Sequence, residues 1–224
     1  MSTNDFEGLR RQMVAEISAE TFLLSKAIGK TAIDPRVMTA MGKVPRHEFV
    51  PVELRPYAYA DTPLPIGFDK TISQPFIVAV MTDLLDLHPT DTVLEIGTGL
   101  GYQAAILSEL AQRVYTVEII EELAAQARHR LARQGHANVQ SRIGNGCRGW
   151  PEHAPFDKII VTAAPELIPP PLIYQLRPGG KMVIPAGIPS AQQLILVEKD
   201  ADGMVSTRDI LPVQFSLLED SETD

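Results

Sequence analysis

The chain has 224 residues, of which 45% are hydrophobic and 21% charged, and a formal net charge of −8. It is long enough for a substantial core, and the composition is that of a water-exposed globular domain. No apolar run nears the ~20 residues that span a bilayer. The acid excess argues against broad attraction to nucleic acid or to an anionic membrane. Cys147 is the only cysteine, which excludes an internal disulfide and fits a reducing cytoplasm. The polar stretch Met1–Arg11 carries no signal-peptide core.

Residues 5–29 place Phe6, Leu9, Met13, Val14 and Ile17 at helical spacing, which predicts an amphipathic N-terminal helix. Asp34-Pro35 reads as an N-cap with a first-turn proline, opening a helix to about Met41. Residues 44–65 are proline-punctuated and read as loops and short turns. Thr71-Ile72-Ser73-Gln74-Pro75 follows, then a helical run from Phe76 to Leu87. Strands and helices then alternate: strand 92–96, helix 102–111, strand 113–117, helix 120–134 and strand 138–142. A glycine-rich loop at 144–152 precedes a buried strand at 156–162, a short helix at 169–176 and a tight turn at 177–180. Strands at 181–186, 193–199 and 205–213 close the chain, the last two around Asp202-Gly203. The acids Glu219, Asp220, Glu222 and Asp224 read as a frayed tail. This order predicts an α/β fold: a mainly parallel central sheet, helices on both faces and an antiparallel C-terminal strand pair. One domain accounts for the whole chain, with residues 1–75 as additions that contribute to the site and 76–224 as the core.

Residues 93–101, Val-Leu-Glu-Ile-Gly-Thr-Gly-Leu-Gly, are the most informative stretch. An apolar strand breaks into glycines at 97, 99 and 101, which suits a sharp turn beneath a ligand. Glu118 ends the next strand 21 positions after Gly97, where a carboxylate accepts hydrogen bonds from a ribose diol. Ligands on such sheets lie beyond the carboxyl ends of the strands, which gathers Gly97–Gly101, Glu118, Asn145-Gly146 and Thr162 at one edge. A dinucleotide fold requires G-x-G-x-x-G, and here the third glycine comes one residue early. A plain turn with no ligand is the competing reading of the glycines alone.

The spacing acid-x-G-x-G-x-G resembles motif I of the class I S-adenosylmethionine methyltransferases, and Thr71-Ile-Ser-Gln-Pro75 narrows the resemblance further. With Val44-Pro-Arg-His-Glu-Phe-Val50, Leu64-Pro-Ile-Gly67, residues 154–165 and Gln175-Leu-Arg-Pro-Gly-Gly180, the chain resembles the protein-L-isoaspartate O-methyltransferase family over about residues 35–218. That resemblance implies a Rossmann-like methyltransferase fold, S-adenosyl-L-methionine as cofactor, S-adenosyl-L-homocysteine as product, and isoaspartyl proteins and peptides as substrate. It implies no metal, and it fits a cytoplasmic protein, with a monomer favoured. Ser73 is the implied active-site residue. The implied cofactor residues are Thr71, Ile72, Glu95, Gly97, Thr98, Gly99, Gly101, Glu118, Asn145, Gly146 and Thr162.

The chemistry agrees with a hydroxyl in that position. An isoaspartyl α-carboxylate, with a pKa near ~3.5, is ionised at neutral pH and needs no general base. The protein has to align one carboxylate oxygen with the methyl group and exclude water. The local pattern alone equally allows Ser73 as a helix cap. Asn145 stands where the family usually carries Asp, and Phe215-Ser-Leu-Leu218 departs from its C-terminal pattern in the segment that, by the resemblance, docks and closes over the peptide substrate. These departures keep two readings open: a methyltransferase with another acceptor, and a cofactor-holding adaptor with little turnover.

Overall fold

A computed structural model describes residues 3–220 of the chain. The N-terminal periodicity gives two helices, α1 (Thr3–Leu23) and α2 (Ser25–Ile28), the second ended by Gly29 in the left-handed conformation. The turn of chain at Leu24 breaks the single helix expected over 5–29. Helix α3 (Pro35–Lys43) starts as the sequence indicates, with the Asp34 side chain accepting the Arg36 N–H at 2.7 Å. Two short 3-10 turns, Arg46–Glu48 and Val52–Tyr57, lead into a hairpin of β1 (Leu64–Gly67) and β2 (Lys70–Ile72). This hairpin was not expected. Its turn places Phe68 and Asp69 at φ values of 55° and 54°, a conformation that sequences normally announce with Asn-Gly or Asp-Gly. Helix α4 (Pro75–Leu84) follows.

The remaining strands form one seven-stranded sheet: β3 (Thr92–Ile96), β4 (Arg113–Glu118), β5 (Val139–Ile143), β6 (Phe156–Val161), β7 (Leu176–Ile188), β8 (Ala191–Lys199) and β9 (Val205–Val213). Helices α5 (Tyr102–Ser108), α6 (Glu121–Gln134) and α7 (Pro170–Gln175) connect them. The strand order is β5-β4-β3-β6-β7-β8-β9. Strands β3 to β7 run parallel, and β8 and β9 run antiparallel to their neighbours. Residues 177–180 belong to β7, with a register shift against β6, where the sequence suggested a separate turn.

Strand periodicity divides the core between the two faces of the sheet. Val93, Val114, Ile160, Val183 and Leu194 face a core shared with α1 and α3 to α6. Leu94, Ile96, Val117, Ile159, Val161 and Met182 face a second core with Leu172 of α7. The chain runs from β3 to β5 toward one edge and then crosses back to β6 and β7. Strand order therefore reverses between β3 and β6, and a ligand crevice opens there, beyond the carboxyl ends.

Candidate active site

The turn after β3 is built by its neighbours. Gly97 N–H donates to the Val117 carbonyl at 2.9 Å, and Thr162 N–H to the Ile96 carbonyl at 2.9 Å. Thr162 Oγ1 donates to the Gly97 carbonyl at 2.6 Å. A Cβ on Gly97, whose φ is +91°, would collide with that same Thr162 hydroxyl, so only glycine leaves the main chain this close to the crevice. Glu118, at the end of β4, accepts Gly99 N–H at 2.8 Å on one oxygen and Ile120 N–H at 3.0 Å on the other. Burial raises its pKa above the usual carboxylate value, while these backbone donors pull it back. A carboxylate has about four acceptor positions, so acceptors remain free for a ribose diol.

Gly97, Gly99, Glu118, Gly146 and Thr162 all line one cavity of about 570 Å³, counted with its open mouth. That volume suits a nucleoside-sized ligand. Thr71 lines it too, whereas the remaining expected cofactor residues do not. Gly101 is the N-cap of α5 at φ +96°, and a Cβ there would press on Leu131 of α6. Asn145 is buried, with Oδ1 accepting Cys147 N–H at 2.9 Å and Nδ2 donating to Asp220 Oδ1 at 2.7 Å. Its neighbour Gly146 is the residue on the cavity wall. Glu95 is wholly buried and lines no part of the cavity: Thr116 Oγ1 donates to its Oε2 at 2.5 Å. Thr98 joins that chain through Thr116 at 2.6 Å, yet it also faces a second, smaller space.

The second space, of about 370 Å³, brings Ser73 together with the glycine turn: Thr71, Ile72, Ser73, Gly97, Thr98 and Gly99 all line it. Ser73 also borders an open groove of about 830 Å³ lined by Thr71, Gln74 and the Pro212–Phe215 stretch at the end of β9. Thr71 touches all three spaces. The segment is held from behind. Arg46, fully buried with its guanidinium 4.8 Å from the Tyr102 ring centroid, donates to the Ser73 carbonyl at 2.7 Å and to the Ala58 carbonyl at 2.8 Å. Burial lowers the Arg46 pKa to about 10, so at neutral pH the cation persists.

The Phe215–Leu218 segment, which the family resemblance marks as closing over the substrate, continues into a strap along the crevice. Residues 216–219 line the 570 Å³ cavity together with Gly97, Gly99 and Gly146. Ala164 N–H donates to the Ser216 carbonyl at 2.8 Å, and Leu218 N–H to the Ala164 carbonyl at 2.9 Å. Lys70 of the hairpin meets Glu219 at 2.6 Å. Glu219 and Asp220 therefore anchor the strap, contrary to the frayed tail expected; Glu222 and Asp224 lie outside the described residues. No periodic pattern marks 214–220, because the strap is fixed by single hydrogen bonds to distant residues. His47 packs rather than ligates, stacked on Phe6 at 4.0 Å with Nδ1 2.7 Å from the Tyr59 hydroxyl.

A parallel sheet reversing at β3/β6, a glycine turn over an acid at the next strand end, and no phosphate-cradling third glycine define a class I methyltransferase. Comparison with known proteins narrows this. The profile of the Protein-L-isoaspartate(D-aspartate) O-methyltransferase (PCMT) family matches residues 19–223, and the chain belongs to that family. It is 76% identical over 222 residues to protein-L-isoaspartate O-methyltransferase 1 of Polaromonas sp. (strain JS666 / ATCC BAA-500), covering 99% of this chain and 94% of that one. It is 60% identical to protein-L-isoaspartate O-methyltransferase 2 of Syntrophobacter fumaroxidans, covering 92% and 84%. A solved protein-L-isoaspartate O-methyltransferase superposes with a TM-score of 0.81 at 26% identity, covering 94% of this chain and 66% of that one. The fold is also that of a Plasmodium falciparum protein solved with S-adenosyl-L-homocysteine, with a TM-score of 0.76 at 21% identity, covering 96% and 98%.

Proposed function

We propose that methyl transfer occurs where the three spaces meet, with Ser73 on one wall and the 97–99 turn on the other. The reaction is the family's: methylation of the free α-carboxylate of L-isoaspartyl residues in damaged proteins and peptides. S-adenosylmethionine brings an electrophilic methyl group with its own leaving group. The residues present suit that cofactor, because Glu118 offers free acceptors and the bare backbone at Gly97 and Gly146 lets a ligand approach closely. In this reading Thr71, Ile72, Gly97, Thr98, Gly99, Glu118, Gly146 and Thr162 enclose the cofactor. Glu95, Gly101 and Asn145 act through the residues they hold.

The acceptor enters along the groove beside Gln74 and Phe215. The Ser73 hydroxyl donates to one oxygen of the acceptor carboxylate and aims the other at the methyl group. A neutral donor orients the nucleophile without the charge neutralisation an arginine pair would impose. The strap and hairpin exclude water. Residues 1–75 contribute Thr71 to Gln74 to the site, and 76–224 supply the cofactor core and the C-terminal wall of the acceptor groove, all within one domain. Among the described residues no helix is long and apolar enough to cross a membrane. The single thiol and the net charge of −8 support a cytoplasmic monomer that acts on polypeptide rather than nucleic acid.

The observation that carries this reading is that Ser73 and Gly97–Gly99 line one cavity while Ser73 also opens onto the groove. Ser73→Ala is expected to lower turnover of an isoaspartyl peptide at least about tenfold with cofactor affinity changed less than about twofold. Equal losses in both would make Ser73 a structural cap.

A further inference from the structure

Gln74 follows Ser73 in the segment that narrowed the resemblance, and the chemistry above gives it no task. Of the three spaces at the site it lines only the groove. Its carboxamide is held by Asp61: Nε2–H donates to one Asp61 oxygen at 2.9 Å, and Phe76 N–H donates to the other at 2.8 Å. Phe76 N–H is one of the first-turn donors that α4 cannot satisfy internally, so Asp61 ties the Gln74 side chain to the start of that helix. Because both Asp61 oxygens accept, the amide has to present its NH2 end to Asp61, and Oε1 points elsewhere. Among the described residues Oε1 meets no donor, yet it is not one of the atoms sealed from solvent without a partner.

No charged side chain lines the groove. Gln214, the other amide there, turns its Nε2–H to the Pro189 carbonyl at 3.2 Å. A polypeptide lying in such a groove is recognised by apolar contact and by its main chain. Each main-chain N–H that it brings out of water needs an acceptor.

We propose that Gln74 is a substrate-binding residue: its Oε1 accepts a main-chain N–H of the acceptor next to the isoaspartyl carboxylate, and Asp61 is the positioning residue that aims it. This rests on the reading in which the acceptor occupies the groove beside Ser73. Two N–H groups flank that carboxylate in an isoaspartyl peptide, its own and that of the residue joined through the side-chain carbonyl. Adjacent side chains then divide the acceptor between them. The Ser73 hydroxyl donates to the carboxylate, and the Gln74 oxygen accepts from an amide beside it. A contact made to the main chain alone does not depend on the flanking side chains.

Asp61 sets the polarity of this contact. In Asp61→Asn the Asn oxygen stays with Phe76 N–H, which leaves the Asn NH2 toward Gln74. The Gln74 amide then has to turn over and present its NH2, in place of its oxygen, to the acceptor.

The test is steady-state kinetics with an isoaspartyl peptide and two analogues, each N-methylated at one of the two flanking amides. Affinity for S-adenosyl-L-homocysteine is measured alongside. Gln74→Ala is expected to raise KM for the unmodified peptide about three- to tenfold, with kcat changed less than about twofold and cofactor affinity unchanged. One of the two methylations should cost the wild type a similar factor in kcat/KM and cost Gln74→Ala far less, because the hydrogen bond is already gone. Asp61→Asn should raise KM as Gln74→Ala does, and combining the two should add nothing. If Asp61→Asn fails to fold, the methylated peptides still decide. An unchanged KM in Gln74→Ala, or methylation penalties equal in wild type and variant for both analogues, overturns the proposal. So does a joint loss of kcat and cofactor affinity, which would make Gln74 a support of the 71–75 segment only. A fully active Ser73→Ala enzyme overturns the assignment of Ser73, whereas the methylated peptides bear on Gln74 alone.

Discussion

Glu118 and Gly99 are joined directly: the carboxylate that ends β4 accepts the Gly99 N–H at 2.8 Å, 19 residues away in sequence. The acid and the glycine turn are therefore one unit. A ligand that bonds Glu118 is seated against a turn whose position Glu118 itself sets.

Glu118→Ala should accordingly cost more than the lost contacts to a ribose. Removing the carboxylate also strands the Gly99 and Ile120 N–H groups near the cavity floor. At about 1.5–3 kcal/mol for a hydrogen bond to a charged group, cofactor affinity should weaken by about tenfold to a hundredfold. Glu118→Gln keeps one acceptor oxygen and should lose less. Calorimetry with S-adenosyl-L-homocysteine measures both, and an unchanged dissociation constant for the alanine variant would remove Glu118 from the cofactor site.

The strap yields a kinetic prediction. Residues 216–219 line the same cavity as the glycines, so in the proposed reading the cofactor passes them on entry and exit. The Lys70–Glu219 pair ties that wall to the hairpin at 2.6 Å, with side chains 21% and 53% exposed. Exposed pairs contribute at most about 1 kcal/mol, so Glu219→Ala should scarcely move the melting temperature. If the pair breaks when the strap opens, product release should quicken by about two- to fivefold, and its wild-type dependence on salt should disappear in the variant. Stopped-flow release of S-adenosyl-L-homocysteine reads this. Identical rates in both proteins would show that the pair plays no part in opening.

Those parts of the site that follow from strand ends were legible in the sequence, and those that depend on long-range contacts were not. Gly97, Glu118 and Thr162 each end a parallel strand or start the turn after it, so locating the strands located them. Gly101 carries the same glycine signal and packs closely against Leu131, a contact 30 residues away. Lys70, Ser216 and Glu219 carry no local signal, since their roles arise from a hairpin with an unannounced turn meeting a strap near the C-terminus. Glu95, the motif's acid, stands two residues before the turn and does not line the cavity. Strand alternation sends it inward, opposite Thr116 on the neighbouring strand.

That inward placement makes Glu95 a probe of stability rather than of binding. Its Oε2 accepts from Thr116 at 2.5 Å, and its Oε1 has no partner among the described residues. Burial pushes the carboxyl up to about 8; the Thr116 bond acts against this, and the negative charge of Glu118 adds to it. In the unfolded chain the same group titrates near 4.5. Between these values the folded state binds a proton that the unfolded state lacks, so stability falls as pH rises across the window and levels off above it. Glu20 contributes a decline of the same sign that ends near 7. The informative quantity is therefore the difference between wild type and Glu95→Gln, in which the Glu20 contribution cancels. The melting temperature of Glu95→Gln relative to wild type should climb by a few degrees between pH 5 and pH 8. Cofactor affinity should change far less than in Glu118→Ala, because Glu95 does not line the cavity. A melting-temperature gap that stays constant from pH 5 to pH 8 would show that Glu95 does not titrate in that range, and a large loss of cofactor affinity would return it to the binding site.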